Sequence, residues 1–220
     1  MTFNPAYIGP RPDLLSIIPP ECTRILDIGC AAGDFGAALK SRRPSIVVSG
    51  IERDPAMARD AIAKLDQVVV ADFDALGAED DRLIHGPFDC LVFGDVLEHL
   101  LDPWRALRRS RSLLAPEGFV VASIPNVGHL DTYAQLLVRR RWPYRRRGIH
   151  DATHLRQFAA ENVRTLFEGA GFEILSLQRT YRLVERPHRW NRFASAFAIP
   201  GPIRELLTYQ FLVVARVEDG

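Results

Sequence analysis

The sequence predicts an α/β protein with a doubly wound parallel sheet and helices on both faces. Short apolar segments rich in Ile, Leu and Val alternate with helical patterns along most of the chain. The first apolar segment also ends in a glycine-rich turn, "GCAAG" at 29–33, and a helical pattern follows it directly. This alternation is typical of parallel strands joined by crossover helices, whose ligands lie at the carboxyl ends of the strands.

The first half of the chain contains five predicted strands, each a short apolar segment closed by a turn or an acidic residue. They are expected over 23–28, 45–52, 67–73, 88–95 and 119–125. Helices are expected between them over 33–42, 54–65 and 102–114. Asp54 and Asp102 are each followed by proline, which is the pattern of a helix N-cap and first turn.

After Pro125 two insertions interrupt this alternation. Residues 126–157 are too long for a simple crossover and include a predicted helix over 130–140, so we expect a functional lid. The second insertion, 182–207, is amphipathic, and core cover, dimer contact and membrane-surface contact all stay open for it. Its aromatic residues are Trp190, Phe193 and Phe197.

The remaining elements are a helix over 159–172 with a glycine stop and strands over 172–181 and 209–217. No linker or repeat divides the chain, so we predict a single domain over 1–220.

The composition favours a cytoplasmic protein. The chain has 220 residues, of which 47% are hydrophobic, and a net charge of +1, which gives no general attraction to nucleic acid. Three cysteines without metal-type spacing indicate free thiols in a reducing compartment. No secretion signal or transmembrane segment is expected.

The glycine-rich turn is a candidate ligand cradle. Gly29 and Gly33 permit backbone conformations that side chains block, and they let a ligand approach the main chain closely. The helix that follows presents N–H groups and a positive dipole end. The turn therefore suits a nucleotide-like ligand, although a tight strand-to-helix connection would look the same.

Acidic residues at the ends of three successive strands narrow the choice of ligand. Glu52 is positioned for ribose hydroxyls and Asp72 for an adenine amino group, with Phe73 beside the ring. Asp27 precedes the turn, where an acid suits a sulfonium or amino group better than a pyrophosphate. This favours S-adenosyl-L-methionine over a nicotinamide dinucleotide. We expect Glu52→Ala to weaken cofactor affinity far more than folding.

Together these motifs resemble the class I S-adenosylmethionine-dependent methyltransferases. The similarity is greatest to a branch associated with bacterial cell-surface glycan biosynthesis, and it rests on "DVLEHLLDPW", "SIPNVGH" and "GIHDATHLRQF". Ubiquinone-biosynthesis O-methyltransferases and methionine-biosynthesis W proteins are more distant. The resemblance implies a Rossmann-like sheet of seven strands, mostly parallel, with the last strand antiparallel.

The resemblance also implies a set of cofactor-binding residues in the turn and after strands two, three and four. Ala31 stands where this family usually has glycine. The set comprises Asp27, Gly29, Cys30, Ala31, Gly33, Glu52, Arg53, Asp72, Phe73, Asp95 and Val96.

Histidines are the candidate bases for an alcohol acceptor, because their pKa lies near neutrality. The catalytic candidates are His99, His129 and His154, and each has a structural role as its alternative. No metal is expected, although the i, i+3, i+4 spacing of Asp95, Glu98 and His99 offers an alternative carboxylate–histidine set.

The acceptor is expected on the far side of the cleft, beside the lid. Its predicted ligands are Asn126, His129, His154 and Arg156. His150 and Asp151 lie in the same insertion, and Asp151 is expected to cap a turn. The charge run from Arg139 to Arg147 has three interpretations: a nucleic-acid or phosphate surface, a solvated face, or a contact for the phosphates of a lipid-linked or nucleotide-linked sugar.

The function predicted from the sequence is methyl transfer from S-adenosyl-L-methionine to an oxygen of a sugar or glycan precursor. O-methylation of a quinone-like compound or secondary metabolite is one alternative. A non-catalytic partner protein that keeps the fold is another. A homodimer stays open, and a nucleic-acid partner is not expected.

Overall fold

Seven strands form one sheet in the part of the chain that the structure describes. The structure is a computed structural model, and it describes residues 9–77, 80, 83–184, 191 and 201–218. The strands are β1 Arg24–Ile28, β2 Val47–Glu52, β3 Gln67–Val70, β4 Phe88–Gly94, β5 Leu114–Pro125, β6 Phe172–Tyr181 and β7 Thr208–Val217.

The strand order is β3-β2-β1-β4-β5-β7-β6. Strands β1 to β5 pair in parallel, and β7 runs antiparallel to both of its neighbours, β5 and β6. The doubly wound α/β prediction, with its antiparallel last strand, is therefore confirmed. The order reverses between β1 and β4, which is where open α/β sheets form their ligand crevice.

Helices connect the strands and begin largely where the sequence predicts. They are α1 Pro12–Leu15, α2 Asp34–Arg42, α3 Pro55–Ile62, α4 Pro103–Leu113, α5 Leu130–Tyr133, α6 Ala160–Glu168 and α7 Pro202–Leu207. Asp54 caps α3 by accepting from the N–H groups of Ala56 and Met57, and Asp102 caps α4 by accepting from Arg105. A 3₁₀ turn, Leu97–His99, follows β4 directly.

The sheet separates two apolar clusters, because alternate strand residues face opposite sides. One cluster contains Leu26, Ile28, Leu91 and Phe93, and the other contains Ile25, Val48, Cys90 and Val92. Both sides of β1 and β4 are thus buried, as expected for central parallel strands. Cys22, Cys30 and Cys90 are buried free thiols, as predicted.

Among the element boundaries that differ from the sequence prediction are those of β3, β5 and the helix expected over 130–140. β3 ends at Val70 rather than at residue 73. β5 begins at Leu114 rather than at 119, because Leu114 pairs with Phe88 of β4. The helix expected over 130–140 is α5 followed by a π-helical turn, Ala134–Val138.

No helix in the described residues has both the length and the hydropathy that a bilayer span requires. The aromatic residues of the second insertion, Trp190, Phe193 and Phe197, lie outside the described residues.

Candidate active site

A cleft of about 2050 Å³ lies at the carboxyl ends of the strands. Residues at or following the ends of β1, β2, β3 and β4 line one half, and residues of β6, β7 and the lid line the other. We name them the cofactor half and the acceptor half, after the roles that the sequence predicts for them. Because a pocket for one small ligand typically measures about 300–1,000 Å³, the cleft has room for a cofactor and an acceptor side by side.

The glycine-rich turn forms the base of the cofactor half. Gly29 has φ +72°, and a Cβ there would lie 2.7 Å from Cγ2 of Val96. Any larger residue would therefore be strained and would displace Val96. Ala31 also has a positive φ, 47°, a conformation that glycine adopts at lower cost. This explains why glycine is usual at this position in the family that the sequence resembles.

Glu52 holds this turn through its carboxylate. The side chain is 7% exposed and lines the cleft at the end of β2. Oε2 accepts from the backbone N–H of Ala31 at 2.9 Å, and Oε1 accepts from that of Asp54 at 2.8 Å. One carboxylate thus joins the ends of β1 and β2 at the rim of the cleft, while Arg53 lines the cleft beside it.

Asp72 and Phe73 line the same half of the cleft. Asp72 accepts from the backbone N–H of Asp74 at 3.0 Å. The Phe73 ring is only 6% exposed and packs edge-on against Phe93, with the Arg109 guanidinium 5.3 Å from its centroid. The ring is therefore mainly part of the core, although Phe73 also lines the cleft.

A polar network fixes Asp95 at the end of β4. Its Oδ2 accepts from Nη1 of Arg11 at 2.8 Å, and its Oδ1 accepts from the Ser123 hydroxyl at 2.9 Å and from the side-chain amide of Gln210. Arg11 also donates to Asp13 at 2.8 Å. Arg11, Asp95 and Gln210 all line the cleft, so this network joins the segment before α1 to the cofactor half.

A buried carboxylate and two histidines meet where the two halves join. Candidate ligand atoms of Glu98, His99 and His154 lie within 4.8 Å of one another, and Nε2 of His154 is 3.9 Å from Oε1 of Glu98. Glu98 is 1% exposed, and neither carboxylate oxygen has a hydrogen-bond partner among the described residues. Burial raises the pKa of Glu98 well above its usual range, and Asp95 adds to this effect.

The two histidines of this cluster have defined tautomers, because a carbonyl oxygen can only accept. Nδ1–H of His99 donates to the carbonyl of Thr153 at 3.2 Å, and Nδ1–H of His154 donates to that of Ile149 at 3.1 Å. In both rings Nε2 is then the basic nitrogen. Burial lowers the pKa of His99, and burial with the charge of His99 lowers the pKa of His154 to about 4.

Comparison with known proteins identifies the family. A family model described as a methyltransferase domain matches residues 4–177. The chain belongs to this methyltransferase family.

Two curated relatives are enzymes of known name. The chain is 33% identical over 125 residues to a trans-aconitate 2-methyltransferase of Methylobacterium radiotolerans, which covers 56% of this chain and 46% of that protein. It is 29% identical over 144 residues to a ubiquinone biosynthesis O-methyltransferase of Cereibacter sphaeroides. That match covers 63% of this chain and 56% of that protein. The chain thus spans about half the length of the curated relatives it matches.

A solved S-adenosylmethionine-dependent methyltransferase from Archaeoglobus fulgidus has the same fold. It superposes with a TM-score of 0.59 at 19% identity, covering 89% of this chain and 86% of that one. S-adenosyl-L-methionine is the cofactor of the family. The residues present fit it, because the backbone of Gly29 and Ala31 and the buried Glu52 carboxylate line the cleft together at the carboxyl ends of β1 and β2.

The sequence predicts that Asp27, Cys30 and Gly33 contact the cofactor, but they do not line the cleft. They lie in or next to the glycine-rich turn and contribute to its packing. Cys30 is buried, and a Cβ at Gly33 would lie 3.0 Å from Cα of Ala61, so Gly33 allows α2 and α3 to pack closely. Asp27 lines an adjacent cavity of about 40 Å³. Burial raises the pKa of Asp27 to about 7.

The predicted acceptor ligands Asn126, His129 and Arg156 do not line the cleft either, and their side chains bond to backbone groups elsewhere in the fold. Asn126 donates to the carbonyls of Glu205 and Thr208 at 3.0 and 2.8 Å. The Arg156 guanidinium donates to the carbonyl of Leu101. Of the predicted acceptor residues, only His154 lines the cleft.

His129 has no nitrogen left to act as a base. It is fully buried and caps α5, since Nδ1 accepts from the N–H of Asp131 at 3.1 Å. Nε2–H donates to the carbonyl of Arg182 at 2.9 Å. The structure therefore gives His129 a structural role, whereas His99 and His154 line the cleft, and the catalytic assignment of the histidines stays a prediction.

The lid is attached directly to the histidine cluster. The backbone N–H groups of Leu155 and Arg156 donate to the carbonyl of Glu98 at 2.8 and 3.0 Å. Asp151 caps the turn that follows it, as predicted, by accepting from the N–H of Thr153 at 2.8 Å. His150 is buried, with Nε2 3.0 Å from the Thr132 hydroxyl. The lid and the 3₁₀ turn after β4 therefore form one structural unit.

Sequence reasoning missed several cleft residues that are far apart in the chain. Arg11 precedes a short helix and carries no motif. The others lie at the far half of the sheet edge: Thr180, Arg182, Tyr209 and Gln210. The one available signal was the polar start of an otherwise apolar strand, "TYQFLVV".

Proposed function

We propose that this chain is an S-adenosylmethionine-dependent O-methyltransferase whose acceptor is a sugar or glycan precursor. The observation that carries the proposal is the position of the Glu98–His99–His154 cluster, which lies at the junction of the cofactor half and the acceptor half of the cleft. An oxygen acceptor is supported by the ubiquinone biosynthesis O-methyltransferase relative. The sugar is supported by the resemblance of "SIPNVGH" and "GIHDATHLRQF" to glycan-associated methyltransferases.

When bound, the cofactor supplies a methyl group already activated on a positively charged sulfur, so alignment of the acceptor provides much of the rate. The chain's own residues hold the two reactants. Gly29 and Glu52 shape the cofactor half, the Arg11–Asp95 network fixes the end of β4, and the lid closes the acceptor half.

Glu98, His99 and His154 also fit a divalent metal ion. A fully buried carboxylate without a hydrogen-bond partner, beside two histidine nitrogens, is an oxygen and nitrogen donor set suited to first-row divalent cations. A bound cation would lower the pKa of a hydroxyl group that it coordinates. Asp95, which the sequence suggested as a ligand, is not part of this set, because its carboxylate is taken by Arg11, Ser123 and Gln210.

Without a metal, His99 is the group placed to take a proton from the acceptor. Its Nδ1–H is held by the Thr153 carbonyl, which leaves Nε2 as the basic atom.

Production of S-adenosylhomocysteine tests the proposal. The purified chain is incubated with S-adenosylmethionine and a panel of nucleotide sugars, lipid-linked sugars, dihydroxybenzoates and polycarboxylates. Turnover with a sugar acceptor, abolished in His99→Ala, is the expected result, because His99 is either a metal ligand or the base. If the cofactor binds but no acceptor is methylated, with or without added Mg²⁺, Zn²⁺ or Mn²⁺, the enzyme proposal is refuted in favour of a non-catalytic partner.

Small-molecule methylation is the second candidate, and the arginines in the acceptor half favour it. Arg145, Arg146, Arg147 and Arg182 line the cleft. The trans-aconitate 2-methyltransferase relative is named for a polycarboxylate acceptor. Methylation of a polycarboxylate in the same panel, with none of a sugar, would select this function.

A further inference from the structure

The charges that line the cleft are divided between its two halves. Carboxylates at the ends of β2 and β3 line the cofactor half, among them Glu52 and Asp72. The acceptor half is lined by arginines from two separate segments, the lid and the end of β6. Because β7 is antiparallel, its first residues lie at the same sheet edge and place Tyr209 between these two segments.

Arg182 is held in a defined orientation by Tyr209. The centre of its guanidinium lies 3.7 Å from the centroid of the Tyr209 ring. A guanidinium held over an aromatic face loses little further side-chain freedom when it binds a planar or tetrahedral anion. The backbone of Arg182 is fixed as well, since its N–H donates to the Leu207 carbonyl at 3.0 Å.

Arg147 lines the cleft from the lid, as Arg182 and Tyr209 do from the sheet. Burial raises the pKa of the Tyr209 hydroxyl, and the positive charges of Arg182, Arg147 and Arg11 act against this shift. The negative charge of Asp95 also raises the pKa of Tyr209. That charge is paired with Arg11, whose Nη1 lies 2.8 Å from Oδ2 of Asp95.

Thr180 adds a hydroxyl two residues before Arg182. Its Oγ1 is buried and has no hydrogen-bond partner among the described residues, although Thr180 lines the cleft. Buried hydroxyl groups are normally paired, so an unpaired one in a binding cleft is an available donor for a ligand.

We propose that Arg147, Thr180 and Arg182 form an anion-binding subsite in the acceptor half of the cleft, and that the methyl acceptor carries a phosphate or carboxylate group there. The inference rests on the proposed function and adds the chemical class of the acceptor. Arg147 and Arg182 supply charged forked donors, Thr180 supplies a hydroxyl donor, and Tyr209 keeps Arg182 in place.

The subsite is tested on the full chain with two probes, pyrophosphate for phosphates and citrate for polycarboxylates. Isothermal titration calorimetry measures each probe against the wild type, Arg147→Gln, Arg182→Gln, the double variant and Thr180→Val. Arg140→Gln is the matched control, because Arg140 belongs to the same charge run but does not line the cleft. S-adenosylhomocysteine is titrated into every variant to measure the cofactor half separately.

We expect at least one probe to bind the wild type and its affinity to fall about tenfold or more in the double variant, with smaller losses in each single variant. Arg140→Gln should bind within about twofold of the wild type, and cofactor affinity should be unchanged throughout. Tighter binding of pyrophosphate would assign a phosphate-bearing acceptor, and tighter binding of citrate a polycarboxylate.

The proposal is overturned if neither probe binds, if the double variant binds as the wild type does, or if Arg140→Gln loses as much affinity. Each of these results leaves the proposed function standing as long as S-adenosylhomocysteine binds. Failure of the wild type to bind S-adenosylhomocysteine would instead remove the proposed function, whatever the anions do.

Discussion

Glu52→Gln separates the two tasks that the structure gives to this carboxylate. Both of its oxygens accept backbone N–H groups, from Ala31 and Asp54. Glutamine keeps one acceptor oxygen and places an NH₂ group against the other N–H. Because hydrogen bonds to a charged group contribute about 1.5–3 kcal/mol and neutral ones about 0.5–1.5 kcal/mol, replacing two charged bonds by one neutral bond should lower the free energy of unfolding by about 2.5–4.5 kcal/mol.

Cofactor binding should weaken as well. If the buried carboxylate also accepts from a ribose hydroxyl, as the sequence predicts, losing the charge costs about 1.5–3 kcal/mol, which is roughly a 10- to 150-fold rise in Kd. Urea unfolding gives the first quantity, and calorimetry with S-adenosylhomocysteine gives the second. The folding cost is therefore not small, contrary to the expectation from sequence, because the same carboxylate holds the glycine-rich turn.

The matched control is Glu168→Gln, the same chemical change at an exposed residue at the end of α6. It should leave both quantities near wild type. A folded Glu52→Gln protein that binds the cofactor within twofold of wild type would refute the ribose assignment.

Three further predictions concern residues around the same cleft. Burial raises the pKa of Asp27 from 3.8 to about 7, so between these values the folded state binds a proton that the unfolded state has released. The free energy of unfolding should therefore fall by a few kcal/mol as the pH rises from about 4 to 7. Urea unfolding measured across this range should show that Asp27→Asn removes this pH dependence. Arg11→Gln should weaken S-adenosylhomocysteine binding about tenfold in calorimetry by releasing Asp95, with Arg11→Lys intermediate because lysine keeps the charge without the fork. His129→Ala should lower the free energy of unfolding by about 1–3 kcal/mol while turnover of the folded enzyme stays within twofold, and a loss of turnover without a loss of stability would restore a catalytic role for His129.

The sheet was predictable because each strand carries its signal locally. The runs at β1, β2 and β4 are apolar on both faces, and Asp54 and Asp102 mark the helix starts that follow β2 and β4. The start of β5 was misplaced because "APEG" has the composition of a turn, while pairing of Leu114 with Phe88 of β4 decides the boundary. Local composition cannot report a pairing partner 26 positions away in the chain.

The cofactor half was more predictable than the acceptor half for the same reason. Gly29 and Glu52 follow consecutive strands, so their positions follow from the topology. Asn126 and His129 also follow a strand, but their side chains bond to backbone carbonyls of Glu205 and Arg182, which are distant in the chain, and they do not line the cleft. Arg182 reaches the cleft through β6, at an edge of the sheet whose neighbour, β7, comes later in the chain.

The place of β7 between β5 and β6 has a consequence for biosynthesis. β6 leaves the ribosome before the strand that joins it to the sheet, so in the nascent protein its hydrogen-bonding edge has no partner from the described strands until β7 follows. The region around Gly29 and Glu52 can pair earlier, since β1, β2 and β4 are already synthesised. We therefore expect the donor side of the crevice to pair first during synthesis and the recipient side last, with the β6 edge exposed until β7 is made.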